Sequence, residues 1–236
     1  MGQPFHLDDL VIHHENSLFK VGTDSLLLGA YASHIATSRM LEPCCGCGLI
    51  TLMVARKQKN AIFTGIDLDQ KSIAEAEFNA HQNKLNDRIR FTRQDFHSFI
   101  SDKFDLIVMN PPYFDAGLLP SDSGRAQSRH NLFLDQVSII EHSQPLLIPG
   151  GNLILILPYS EKPEIIDYAM RYQLFIKERM IISSYPGKKP IRDILWFKKY
   201  ESDQSITEFE FFIQNSTIRK DWSDQYKSLL TGFKKF

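Results

Sequence analysis

The stretch "SRMLEPCCGCGLITLMVARKQ", residues 38–58, changes character in the middle. Up to Pro43 it is a short apolar run of strand type. From Leu49 onward the apolar residues recur with helical spacing, and between the two runs Gly46 and Gly48 allow a tight turn. A strand that passes through a glycine turn into a helix is the first half of a βαβ unit. The alternation then repeats. "AIFTGIDLD" (61–69) is a strand, and "QKSIAEAEFNAHQNKL" (70–85) a helix with Ile73, Ala76, Ala80 and Leu85 on one side. "RIRFTRQD" (88–95) and "KFDLIVMN" (103–110) are strands, with a helix near "LFLDQVSIIEHSQPLL" (132–147). "NLILILP" (152–158) is a fifth strand and "KPEIIDYAMRYQ" (162–173) a further helix.

Strands separated by helices of this length require right-handed crossovers and a mostly parallel sheet with helices on both faces. "FIKERMIISSYPGKKPIRDILWFKKY" (175–200) breaks that rhythm, with two extended runs around a Pro-Gly turn, the pattern of an antiparallel hairpin. The expectation is a seven-stranded sheet closed by that C-terminal hairpin. We read one domain over 1–236, with an N-terminal segment to residue 40, a core from 41 to 200 and an extension from 201 to 236.

The whole-chain numbers bound the function. At 236 residues the chain is long enough for one α/β domain with a large core, and its 43% hydrophobic content is ordinary for one. A net charge of −1 excludes binding to nucleic acid by bulk charge but leaves room for a local basic patch. No apolar run reaches transmembrane length, and "MGQPFHLDDL" has no basic region followed by an apolar one, so a cytoplasmic protein is expected. The three cysteines, Cys44, Cys45 and Cys47, are crowded into one turn without a second pair to complete a metal site. They read as small fillers, and no metal is expected. The His13–His14 pair reads as surface.

Ligands of open α/β sheets lie beyond the carboxyl ends of the strands, where "EPCCGCGL" (42–49) sits. Gly46 and Gly48 permit close backbone approach, and the following helix aims its first amides at the same place. Asp67 ends the second strand, 19 residues after Gly48, where an acid can accept from ribose hydroxyls. Asp95 ends the third, within reach of an adenine amino group. "NPPY" ends the fourth: the prolines supply no backbone donors, so the strand must stop, and Asn110 is held extended before them.

In that order these motifs resemble those of the class I methyltransferases that use S-adenosylmethionine, over essentially the whole chain from Phe19. "EPCCGCG" is similar to the family's acidic first motif, with Cys44 where many members have glycine. "KVGTDSLLLGA" (20–30) is similar to the segment that covers the methionine end of the cofactor. The resemblance thus assigns Lys20, Gly22, Thr23, Asp24, Glu42, Gly46, Gly48, Asp67, Leu68, Asp95 and Phe96 to S-adenosylmethionine. Thr23 or Asp24 would also serve as N-cap of the helix "SLLLGAY". "KVGTD…LLGA", the glycine turn, "NPPYF" and a following Arg pair together resemble the small N6-adenine group of bacterial tRNA methyltransferases. Their known substrate is the adenosine 3′ of the anticodon in valine tRNA.

That resemblance assigns Asn110, Pro111, Pro112 and Tyr113 to catalysis. The Asn110 oxygen and the Pro111 carbonyl can accept the two hydrogens of a planar amine, and Tyr113 can stack on the base. Arg125 and Arg129, four apart, and Lys188, Lys189 and Arg192 around the hairpin turn are candidate RNA contacts. An unpaired loop base is cheaper to present than a paired one. Protein-glutamine N5-methyltransferases carry the same Asn-Pro-Pro-Tyr, as guanine N2-methyltransferases carry Asn-Pro-Pro, and a non-catalytic RNA-binding module on this scaffold is the remaining alternative. The glutamine enzymes have a helical domain before the glycine loop, whereas 41 residues precede Glu42 here, so tRNA is the expected partner. No obligate protein partner is indicated.

Overall fold

In the computed structural model the described residues are 3–112, 136–200 and 206–236. A short hairpin of β1 (Phe5–Leu7) and β2 (Leu10–Ile12) precedes α1 (Thr23–Ala32). Then come β3 (Arg39–Pro43), α2 (Leu49–Lys57), β4 (Ile62–Asp67), α3 (Gln70–Gln82), β5 (Ile89–Arg93) and β6 (Phe104–Met109). The second half holds α4 (Gln136–Leu146), β7 (Leu147–Pro158), α5 (Glu164–Arg171), β8 (Leu174–Ser183), β9 (Arg192–Lys199), β10 (Thr207–Phe212) and α6 (Asp224–Leu229).

The large sheet has the order β10-β8-β9-β7-β6-β3-β4-β5. Its strands run parallel except β9, which is antiparallel to both β7 and β8. Successive residues of the central strands serve opposite faces. Met40, Phe63, Leu106, Val108, Ile154 and Ile156 pack beneath α1, α2 and α3, while Leu41, Ile66, Ile107, Met109, Leu153 and Leu155 pack beneath α4 and α5. Burial on both faces is why these strands are apolar throughout rather than alternating.

The sheet has eight strands where seven were expected. The extra one, β10, adds to the edge in parallel register with β8, from Thr207 opposite Glu178 to Phe212 opposite Ser183. Its "TEFEFF" does alternate polar and apolar residues, but six residues far from other strand signals gave no partner to assign. What ties the edge together is Arg179 on β8, only 6% exposed. It donates to Asp193 of β9 at 3.0 Å, to Glu208 of β10 at 3.1 Å and to the Ser160 carbonyl at 2.6 Å. Asp193 is 1% exposed, so its carboxylate depends on that guanidinium. Arg179→Ala is expected to cost about 3–5 kcal/mol in urea unfolding, because it strands a buried charge. The paired change Arg179→Met with Asp193→Leu is expected to recover most of that loss.

Candidate active site

The chain leaves β3 toward β4 and β5 on one side, and its neighbour β6 leads to β7 on the other. Their carboxyl ends therefore flank the point where strand order reverses, where a crevice opens. Met40 pairs with Leu106 and Leu41 with Ile107. β3 ends at Pro43 and β6 at Met109, each two residues past that pairing, so Cys44 and Asn110 directly follow the ends of adjacent parallel strands. The glycine turn and the Asn-Pro-Pro tip, 66 residues apart in sequence, thus leave neighbouring strands at the same end of the sheet.

The turn is held by backbone bonds: Cys45 N–H donates to the Ile66 carbonyl at 3.0 Å and Gly48 N–H to the Cys45 carbonyl at 2.8 Å. Gly48 lies at φ 80°, and a Cβ there would stand 2.6 Å from the Phe91 ring, so only glycine fits. A Cβ on Gly46 would meet nothing within 4 Å; the space above the turn is open. Cys44, in the place of a glycine, itself takes the left-handed conformation at φ 57°. Strain of that kind is stored where surrounding contacts over-determine the chain.

Three acids gather around this turn, since the Cys44 thiol is pushed up by burial and then by Asp67, Glu42 and Asp95. Glu42 is 2% exposed. Its Oε2 accepts from the Thr51 N–H at 2.8 Å and from the Thr51 hydroxyl, while Oε1 takes no hydrogen bond from a described residue. Burial pushes the Glu42 carboxyl up to about 8. Asp67 accepts the N–H of Gly46 on one oxygen and that of Asp69 on the other, both at 2.9 Å. Burial still raises it, because two neutral donors do not offset its removal from water. Each of its oxygens keeps a lone pair for a further donor. Asp95 is the most solvated of the three, and the His97 N–H and ring outweigh its partial burial and lower it. Leu68, 38% exposed, offers an apolar surface beside Asp67. Phe96 turns into the core beside His142, so only its backbone can serve a ligand.

The segment before α1 corrects several expectations. The N-cap of α1 is Gly22, not Thr23 or Asp24, and no side chain caps it. Asp24 instead pairs with Arg192 Nε at 2.7 Å, and the arginine side chain stays about a third exposed. Lys20 donates to the carbonyls of His14 and Glu15 and closes a local loop. Lys188 and Lys189 are exposed on the β8–β9 turn, at the same end of the sheet as Asn110. Tyr113, Arg125 and Arg129 lie outside the described residues. His13 is half-buried against the edge of the Phe78 ring, not simply surface.

Sequence reasoning missed the polar face of α3. Glu75, Asn79 and Asn83, each four apart, stack along one side of the helix. Glu75 accepts the N–H groups of Asn16 at 3.0 Å and Ser17 at 2.9 Å. Asn79 exchanges two bonds of 2.8 Å with the His13 backbone and donates to the Cys47 carbonyl at 2.9 Å. Asn83 exchanges bonds with the Val11 backbone. Those donors outweigh desolvation and hold Glu75 below its usual range. The ladder binds the N-terminal segment to the glycine turn. Its signal was the four-residue spacing of polar groups that an apolar-periodicity search discards. Pro111 is buried and Pro112 half-buried, and Asn110 donates through Nδ2 to Ser25 Oγ at 3.0 Å. Among the described residues no cluster of three or more His, Cys, Asp or Glu is arranged to hold a metal ion.

The raised Glu42 carboxyl sets a pH dependence. Between about 4.5 and about 8 the folded state binds more protons than the unfolded one, so stability falls as pH rises through that window. Glu42→Gln is expected to flatten that slope in melting curves recorded across it. At Cys44 the left-handed backbone forbids branching at Cβ. Cys44→Val is expected to cost about 1–3 kcal/mol, and Cys44→Gly to stay within about 1 kcal/mol of the parent, in the same unfolding assay.

Comparison with known proteins agrees with this fold. The family model described as "Methyltransferase small domain" matches residues 17–170. A protein of Phocaeicola vulgatus named tRNA1(Val) (adenine(37)-N6)-methyltransferase is 33% identical over 97% of this chain and 96% of its own. One of the same name from Parabacteroides distasonis is 34% identical over 80% of each. Among solved structures, a predicted O-methyltransferase from Agrobacterium tumefaciens superposes with a TM-score of 0.64 at 19% identity, covering 90% of this chain and 97% of that one. A methyltransferase from Pyrococcus furiosus reaches 0.58 at 22% identity, covering 80% and 89%. With the crevice at the strand reversal, the glycine turn on one side and the Asn-Pro-Pro tip on the other, the chain belongs to the small-domain methyltransferase family.

Proposed function

We propose that this methyltransferase acts on the N6 amine of an unpaired adenosine in tRNA, the one 3′ of the anticodon of valine tRNA, with S-adenosylmethionine as donor. The observation that supports the reading is that Asn110 follows the end of β6, the strand beside the one that leads into the glycine turn. The near-full-length similarity to relatives named for adenine-37 supports the choice of base.

The residues present fit the donor. The turn is open above Gly46, α2 begins without a side-chain cap, and the acids Glu42, Asp67 and Asp95 complement a cationic ligand. Glu42 and the first turn of α2 would hold its amino-acid end, Asp67 the ribose and Asp95 the adenine. When bound, S-adenosylmethionine supplies an electrophilic methyl group on a sulfonium.

The protein's part is to make a poor nucleophile available. The lone pair of an adenine amine is spread into the ring, so planar geometry disfavours attack. The Asn110 oxygen and the Pro111 carbonyl accept the amine's two hydrogens and favour a pyramidal nitrogen with its lone pair turned toward the donor side. With the donor bound, the oriented nitrogen would take its methyl group, and one amine proton would leave afterwards to bulk water. No carboxylate base has to act at the moment of attack.

A glutamine amide offers a similar planar NH₂, so the target must be tested directly. Tritium from labelled S-adenosylmethionine is expected in tRNA from a strain lacking the protein, and nucleoside mass spectrometry should identify it as N6-methyladenosine. Label found only in protein would overturn the reading. Asn110→Ala should lower kcat about 10²-fold or more with KM little changed, while Asn110→Asp, which keeps an acceptor, retains partial activity.

A further inference from the structure

An asparagine amide has two ends of nearly equal size and opposite hydrogen-bonding character. A half-turn of the amide exchanges the oxygen for the NH₂ with almost no change of shape. If Asn110 orients an amine, as proposed above, only one of these orientations is useful. With the oxygen forward it accepts an amine hydrogen; with the NH₂ forward, donor faces donor. Pro111 stiffens the backbone of the tip but does not choose between the two ends.

We propose that Ser25 holds the amide with Nδ2 on its hydroxyl and Oδ1 forward, and is a positioning residue for the methyl transfer. Asn110 Nδ2 donates to Ser25 Oγ at 3.0 Å, which leaves Oδ1 for the substrate. Both side chains are half-buried, so the contact is shielded from water without being closed to it. Ser25 stands on a fixed support. It lies in the first turn of α1, whose residues from Leu26 to Ala32 are buried, and the preceding Asp24 is clamped by Arg192 at the start of β9. The Leu26 N–H closes that first turn on the Gly22 carbonyl at 3.2 Å. The hydroxyl is therefore placed by the N-terminal helix and the β8–β9 hairpin together, and the proposal rests on the reading of Asn110 given above.

The test is steady-state methylation of tRNA taken from a strain lacking the protein. Ser25→Ala should lower kcat about 3- to 10-fold, the value of one neutral hydrogen bond. S-adenosylmethionine affinity by calorimetry and the melting temperature should not move, and Ser25→Thr should restore the rate. The discriminating arm uses the Asn110→Asp background. There both ends of the side chain are oxygens, so orientation carries no information and Ser25→Ala should cost less than about 2-fold. An equal loss in both backgrounds, or a loss that follows melting temperature and is not rescued by threonine, overturns the proposal. So does an unimpaired Ser25→Ala beside an inactive Asn110→Ala, which leaves the reading of Asn110 standing. If Asn110→Ala itself turns over at the parental rate, that reading falls, and this one with it.

Discussion

Two adjacent parallel strands, β3 and β6, hand their chains off in opposite directions, and the site follows from that. A crossover helix covers the end of a strand by running on to the next strand on the same side. Where the sides diverge, neither connection covers the gap, and backbone ends stay exposed to a ligand. Placing a glycine turn on one lip and a proline-stiffened tip on the other lets a donor and an acceptor meet between them. Burial of both sheet faces makes the two lips rigid, because β3 and β6 are fixed by packing as well as by their own pairing.

Around that crevice the protein spends polar groups in two ways. On the turn side, carboxylates are gathered in partly desolvated positions, each with one or two backbone or hydroxyl donors and some capacity unused. That arrangement is unfavourable without a cationic partner and complementary with one. On the N-terminal side, by contrast, the side chains of α3 are fully committed. Glu75, Asn79 and Asn83 accept the N–H groups of Val11, His13, Asn16 and Ser17, partners that an irregular segment otherwise lacks.

That clasp also has a consequence for the tip. The segment it holds leads into α1, and α1 carries the hydroxyl that meets Asn110 and the carboxylate that meets Arg192. Arg192 begins β9, and β9 belongs to the edge that Arg179, Asp193 and Glu208 hold together. The N-terminal segment, the reversed strand and the far edge are thereby joined mechanically to the residue proposed to hold the substrate amine.

The sequence by itself determined the alternation of strands and helices, the C-terminal antiparallel hairpin, the glycine turn and the Asn-Pro-Pro tip. These are local: apolar period, missing proline donors and glycine conformation act within a few residues of where they are written. It also placed Glu42, Asp67 and Asp95 at strand ends, because each closes an apolar run. What only the tertiary structure decided was which polar groups meet. Ser25 and Asn110 are 85 residues apart, Asp24 and Arg192 168, and nothing in either neighbourhood names the other. That Arg192 pairs with Asp24 was equally hidden, since an arginine's partner is the carboxylate that folding brings to it. The edge strand β10 was hidden for a similar reason: six alternating residues become a strand only once β8 supplies the pairing groups.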